Sequence, residues 1–213
     1  PFPWAYVNGV ATQLRGGSGT ASAIGDGGRV AGVLDDGSRP VVWDGVTAEP
    51  TELAMPAGFG LATIVDVDAD GTVVGVVSNA AGNQPMPVIW EPDGTSRALQ
   101  EGRLPTALRN GWLVGTTTDG TGFRYFTPDD AFEVLPAQVA VPLAVSSSGV
   151  VVGRSGQDPA AAPSVLVGAE IHPLDLLDGA EGYQVSGVTD DGRTITGVAT
   201  MADGGSRALT WSC

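Results

Sequence analysis

Asp66, Asp68 and Asp70 alternate along DVDADGTVVG (66–75), and Gly71 follows where a calcium loop makes its sharp turn. An EF-hand-like loop opened at Asp66 would need a ligand near position 9 and a bidentate Glu at position 12. Those positions hold Val74 and Val77. Calcium therefore stays only as an alternative reading of Asp66, Asp68 and Asp70, and no cofactor is expected. The main reading is a hairpin turn, in which Asp, Asn and Gly supply local side-chain bonds and positive φ.

Other chemistry is sparse. His172, the only histidine, stands in IHPLDL with Asp175 nearby, and a Ser-His-Asp triad or an imidazole metal site would have to use it. No G-x-S-x-G stretch accompanies it, so it reads as a polar turn residue. Asp35, Asp36, Asp158, Asp178 and Glu181 fall in loops and could be paired for glycoside hydrolysis, or could simply be solvated turn residues. All ten basic residues are Arg, which excludes a lysine nucleophile, a Schiff base and a P-loop lysine. Cys213 is the single thiol, so neither an intramolecular disulfide nor a cysteine-rich zinc site can form. The formal net charge of −14 argues against nucleic acid as a partner. No stretch of 18 apolar residues exists to insert in a membrane as a helix. The chain begins at Pro1, which fits a trimmed or processed product whose leader or anchor is out of view.

The elements that must position these residues are repeated. Five segments share a short apolar strand, a polar turn and an apolar run closing on glycine: AIGDGGRVAG, DVDADGTVVG, ALRNGWLVG, AVSSSGVVVG and VTDDGRTITG. Their last residues, Gly32, Gly75, Gly115, Gly153 and Gly197, are spaced by 43, 40, 38 and 44. After each comes a loop, then an aromatic-ending strand, a turn and a strand ending in Leu, as in PVVWDGVTAEPTEL (40–53) and PVIWEPDGTSRAL (87–99). A period near 40 residues with four short strands is the size of a propeller blade. With 32 glycines punctuating the runs, an all-β propeller of four-stranded blades is expected. The expectation is one domain over 1–213, with repeats at about 15–53, 54–99, 100–135, 136–176 and 177–213 after an N-terminal 1–14. VATQL (10–14) would complete the last blade beyond SRALTW (206–211), closing five blades with both termini; six, one incomplete, is the alternative.

PWAYVNGVATQL with AIGDGGRVAG, and PVIWEPDGTSRAL with DVDADGTVVG, give the chain a pattern that resembles the HAF-type repeats of predicted bacterial extracellular proteins. Repeats three and four depart from it, with Phe126 and Val167 read in place of Trp. The resemblance implies an exported propeller-like module and brings no active-site motif with it.

In an up-and-down blade the tight 1–2 and 3–4 turns share one face, and the longer, varied loops share the other, where a rigid scaffold binds. The longer set includes SNAAGNQPMP (78–87), QEGRLP (100–105), RSGQDPAAAP (154–163), LDGAEGY (177–183) and ATMADGGS (199–206). Candidate ligand-binding residues there are Phe59, Asn83, Gln84, Arg103, Arg154, Asp158 and Tyr183. Met55, Met86 and Met201 fall there too and could bind Cu(I) or an adaptable partner, though gap-filling beneath loops is favoured. Trp43, Trp90 and Trp211 recur at one repeat position and read as core between blades. The expected function is non-catalytic, extracytoplasmic recognition of a protein or carbohydrate. The alternatives are a carboxylate-based glycan-processing enzyme and a structural or sensor ectodomain of a membrane-anchored protein.

Overall fold

A computed structural model describes residues 1–99, 103–156, 158 and 160–212, and the chain divides into two compact units, Pro1–Pro105 and Thr106–Cys213. Part of the expected third crossover (100–102), two residues of the 154–163 loop and Cys213 lie outside the described residues.

The first unit begins with a two-stranded sheet, β1 (Trp4–Val7) and β2 (Val10–Gln13). A four-stranded sheet follows: β3 (Gly19–Ile24), β4 (Arg29–Leu34), β5 (Arg39–Asp44) and β6 (Thr51–Glu52). The next holds β7 (Leu61–Val67), β8 (Val73–Ser78), β9 (Met86–Trp90) and β10 (Ser96–Ala98).

The sheet of the second unit that comes first in sequence starts just before its boundary with β11 (Arg103–Arg109). It continues through β12 (Trp112–Thr117), β13 (Gly122–Phe126) and β14 (Ala131–Val134). The next holds β15 (Val141–Val145), β16 (Val151–Arg154), β17 (Pro163–Val167) and β18 (Glu170–Pro173). The last has three strands, β19 (Ala180–Val188), β20 (Thr194–Met201) and β21 (Ser206–Ser212). Every sheet is a meander in sequence order, as hairpin turns dictate; Asn8–Gly9 and Asn110–Gly111 take the paired positive φ of a primed turn.

The period glycine has a physical cause. In four sheets the first strand carries a bulge beside the residue paired with the closing glycine: Ala21 opposite Gly32, Ile64 opposite Gly75, Pro142 opposite Gly153 and Val185 opposite Gly197. The bulge thrusts a carbonyl at the glycine. A Cβ would meet Thr20 O at 2.1 Å from Gly32, Thr63 O at 2.3 Å from Gly75, Val141 O at 2.7 Å from Gly153 and Gln184 O at 2.5 Å from Gly197. A bulge adds local twist, and only the residue without a side chain tolerates this approach.

Both faces of the middle strands are buried, so β5 and β8 read as nearly unbroken apolar runs rather than alternating ones. Ala31, Val42 and Leu53 of one sheet pack on Ile64, Val77 and Trp90 of the next, and Val165 and Leu174 pack on Val185, Ile195 and Trp211. Trp43 and Trp90 are fully buried. Each indole N–H reaches back to the crossover just after the preceding sheet's terminal Leu: Trp43 Nε1 donates to Arg15 O, Trp90 Nε1 to Ala54 O and Trp211 Nε1 to Asp175 O, all at 2.8 Å.

Register corrects the expectation for repeats three and four. The tryptophans lie two residues beyond the partner of the closing glycine, since Gly75 pairs with Val88 and Val73 with Trp90. By the same count the third and fourth positions are Tyr125 and Leu166, paired with Leu113 and Val151. Both are buried, whereas Val167 is 42 % exposed. Phe126 and Val167 are one residue late, and in a strand one residue is the opposite face.

The N-terminal segment expected to close the ring has a partner within its own unit. VATQL pairs with β1, and its Leu14 is buried against Val30, Leu34 and Trp43 of the following sheet. That is the place every strand-ending Leu takes, and the described residues form six sheets.

Candidate functional site

Each aspartate of DVDADG gives one carboxylate oxygen to a backbone N–H of the same segment. Asp66 Oδ1 accepts from Val67 N at 2.9 Å, Asp68 Oδ1 from Ala69 N at 2.7 Å and Asp70 Oδ1 from Thr72 N at 2.8 Å. Gly71, at φ +96°, closes the turn by donating to Asp68 O, and the Arg29 guanidinium lies where its Cβ would be. Among the described residues no group of three His, Cys, Asp or Glu side chains is arranged to hold an ion.

In the second unit the tight turns brace one another. Arg109 Nε donates to Asp190 Oδ1 at 2.7 Å, Asn110 Nδ2 to Ser147 O at 3.0 Å and Arg124 Nη1 to Gly149 O at 2.7 Å. The Trp112 ring covers Gly149, and Arg124 stacks 5.1 Å from its centroid. The Arg109 guanidinium, helped by the Ser147 hydroxyl, holds the Asp190 carboxyl below the usual carboxylate range, while desolvation and Asp191 oppose it. Because the folded value is depressed, this pairing stabilises the fold above the unfolded pKa of about 3.9 and is lost as pH falls through the folded value. In an NMR titration Asp190 is expected to titrate below the ordinary aspartate value, and Arg109→Ala to raise its midpoint; an unmoved midpoint would refute the pairing.

On the other face the loops are shorter than the sequence suggests. β19 starts at Ala180 and β20 runs to Met201, so LDGAEGY and ATMADGGS reduce to the turns 177–179 and 202–205. Tyr183, Arg154, Arg103 and Met86 are therefore strand residues. Phe59, Met55 and Met86 pack on the core of the first unit and Met201 on that of the second, which is the gap-filling role. Asn83 and Gln84 are exposed on a loop organised by Asn79, whose Oδ1 accepts from Ala81 N and Asn83 N. Arg103 is half-buried at the start of β11. Asp158 is exposed, with Oδ1 accepting from Ala160 N at 2.9 Å.

Two of the seven candidates do converge. Arg154, at the end of β16, and Tyr183, in β19, line a cavity of about 340 Å3 with Leu143, Gln184, Val198 and Thr200. The Tyr183 hydroxyl is already used: it donates to Leu177 O and accepts from Leu177 N, fixing the crossover into β19. Arg154 is different. Six other arginines pair with carboxylates, whereas Arg154 has no partner among the described residues and its Nε is buried without a hydrogen bond. Gln184 and Thr200 were missed, because nothing in a strand sequence says which side chains flank a cavity between two sheets. A larger cleft of about 830 Å3 lies between the last two sheets, beside Trp211, Leu174 and His172. His172 is exposed and 3.6 Å from Glu170, and it lies in strand β18 opposite Val165 rather than in the turn. None of Asp35, Asp36, Asp158, Asp178 and Glu181 lines either cavity.

No family model matches the chain, and no curated protein matches it. Solved structures do. The chain is similar to one in the crystal structure of a nidogen/laminin complex (13% identity, TM-score 0.56, covering 99% of this chain and 89% of that one). It is similar to the putative TolB from Agrobacterium tumefaciens (10%, 0.58, 90% and 76%) and to YCF48 bound to a D1 peptide (16%, 0.51, 100% and 75%). These are β-propeller proteins, and at such identities the likeness is one of fold. The chain has an all-β fold of the propeller type, built of four-stranded antiparallel meanders.

Proposed function

We propose that this chain is a non-catalytic recognition module of HAF type, working outside the cytoplasm without a cofactor. It holds a protein ligand at the loop end of its second unit, where Arg154 pairs with a carboxylate of that ligand. The observation that carries the reading is the unpartnered Arg154 cation beside a cavity, in a chain of net charge −14 whose other arginines mostly have counter-ions. A buried Nε–H without an acceptor is a standing cost, and a carboxylate that accepts from it removes that cost. Gln184 and Thr200 offer hydrogen bonds beside it, and Leu143, Val185 and Val198 an apolar wall. The fold neighbours bound to laminin and to a D1 peptide support a protein ligand as the class to search.

The test is a peptide array and a glycan array probed with the wild-type chain and Arg154→Ala. Peptide hits rich in Asp, Glu or free carboxyl termini are expected, weakened about tenfold or more in the variant, as loss of a charge-assisted pair costs at least ~1.5 kcal/mol. Hits that survive Arg154→Ala unchanged would place binding elsewhere. Hits confined to glycans would replace the protein ligand by a carbohydrate.

A further inference from the structure

Arg154 is the one charged residue lining its cavity, and its Nε is buried without a hydrogen bond. What stands nearby carries the opposite sign. The turns 177–179 and 202–205 lie side by side, joined by Ala202 N donating to Gly179 O at 3.1 Å. They carry Asp178 and Asp203, and Glu181 directly precedes Gly182 of the cavity lining. Asp158 follows Arg154 by four residues. All four acids are exposed, and none has an ion pair among the described residues. At ~3.6 Å per residue, chain connectivity keeps each backbone within about 14 Å of a lining residue. Arg207, exposed and paired opposite Ala199, offsets one of these charges and leaves this end acidic. The imbalance is general, since Thr106–Cys213 holds five arginines against twelve Asp and Glu.

A ligand that suits this setting meets three demands. It brings a carboxylate for the Arg154 Nε, an apolar group for Leu143, Val185 and Val198, and positive charge beyond them. A ligand rich in Asp and Glu fails the third, because every carboxylate after the first is repelled by the four acids. An Asp or Glu side chain also fails the second, since its carboxylate stands only on its own methylenes. The last residue of a chain, if apolar, carries a carboxylate and an apolar side chain on one Cα. At about 340 Å3 the cavity is near the lower limit of ligand pockets, with room for a chain end rather than for a chain passing through.

We infer that the ligand of the Arg154 cavity is the free C-terminus of another protein, an apolar last residue preceded by paired Lys or Arg. This rests on the Arg154 reading and narrows it. The terminal carboxylate accepts from Arg154 Nε, the apolar side chain lies on the valine and leucine wall, and the basic pair faces Asp158, Asp178, Glu181 and Asp203. These 213 residues hold no such basic pair, as no two arginines stand closer than six positions apart, so the ligand is not one of their own segments. Charges this far apart steer selectivity and respond strongly to salt.

The probes are three peptides labelled with fluorescein at the amino end and titrated against the chain by fluorescence polarisation. They are Ser-Lys-Arg-Ser-Leu with a free carboxyl end, the same peptide amidated, and Ser-Glu-Asp-Ser-Leu with a free carboxyl end. Saturable binding of the first is expected, weakened about tenfold or more by amidation or by Arg154→Ala. The acidic peptide should bind about fivefold weaker or worse at ~0.01 M ionic strength, and the gap should narrow at ~0.15 M as the screening length falls from ~30 to ~8 Å. Glu181→Gln combined with Asp203→Asn is expected to erase most of that gap, and Asp203→Asn keeps an acceptor for Gly205 N. Absence of binding, or binding indifferent to amidation or to flanking charge, overturns the chain-end ligand. Array hits that still respond to Arg154→Ala would then leave the Arg154 reading standing. Peptide binding that ignores Arg154→Ala overturns both. Free leucine competing as well as unlabelled Ser-Lys-Arg-Ser-Leu overturns the chain end in favour of a free amino acid. Near-ultraviolet circular dichroism confirms that each variant remains folded.

Discussion

Gly75→Ala is expected to destabilise the first unit by about 3 kcal/mol, the upper end of the range for forcing atoms into a packed interior. A surface glycine replaced by alanine is usually neutral or slightly stabilising, so the sign alone is informative. No positive φ is recorded at Gly75, unlike Gly71 at +96°, so the cost does not come from backbone conformation. It comes from the Thr63 carbonyl 2.3 Å from the new methyl group and from Trp90 Cζ3 at 3.0 Å. Thr63 is paired with Val76 just ahead of the β7 bulge, so its carbonyl cannot retreat without disturbing the β7–β8 ladder. Urea denaturation should show the midpoint falling by roughly 1–2 M for a slope of 1–3 kcal/mol/M. In a Trp90→Ala background most of the penalty should persist, because the backbone clash remains. A Gly75→Ala chain as stable as wild type would mean that the bulge does not set the repeat.

Trp90→Ala should cost about 3–5 kcal/mol, the range for deleting a buried aromatic. The ring is fully buried among Ile64, Val73 and Val88, and its indole N–H satisfies the Ala54 carbonyl in the crossover from the preceding sheet. Trp90→Phe keeps an aromatic ring but removes the donor, and should cost less, about 1–3 kcal/mol including the stranded carbonyl. The ordering Ala well above Phe, measured by urea denaturation, separates packing from the hydrogen bond. Equal losses would show that the hydrogen bond carries the whole effect.

The repeat was legible because its causes are local. Turn residues and the closing glycine recur in sequence wherever a bulge recurs in space, and Trp43 and Trp90 announce core by size alone. What was misread depended on register. Tyr125 and Phe126 are both aromatic neighbours, and only the pairing with Leu113 tells which one enters the core. Of the candidate site, Arg154 and Tyr183 were named because they fall in the longer loops of the sequence; Gln184 and Thr200 sit in strands whose flanking space appears only when two sheets are packed.

The indole clasps are unevenly distributed, and this bears on how the molecule comes apart. In serially stacked repeats, stability is close to a sum of nearest-neighbour interface terms, so the poorest interface opens first. Trp43, Trp90 and Trp211 each fasten a sheet to the crossover before it, but Leu166 has no donor, and the Tyr125 hydroxyl turns to Asp130 of its own hairpin. Within the second unit, the junction between the β11–β14 and β15–β18 sheets is thus held by packing alone at this position. The fastening of that junction passes instead to its tight-turn end, where Asn110 and Arg124 donate to the Ser147 and Gly149 carbonyls, so its resistance to sub-global opening rests on those two side chains.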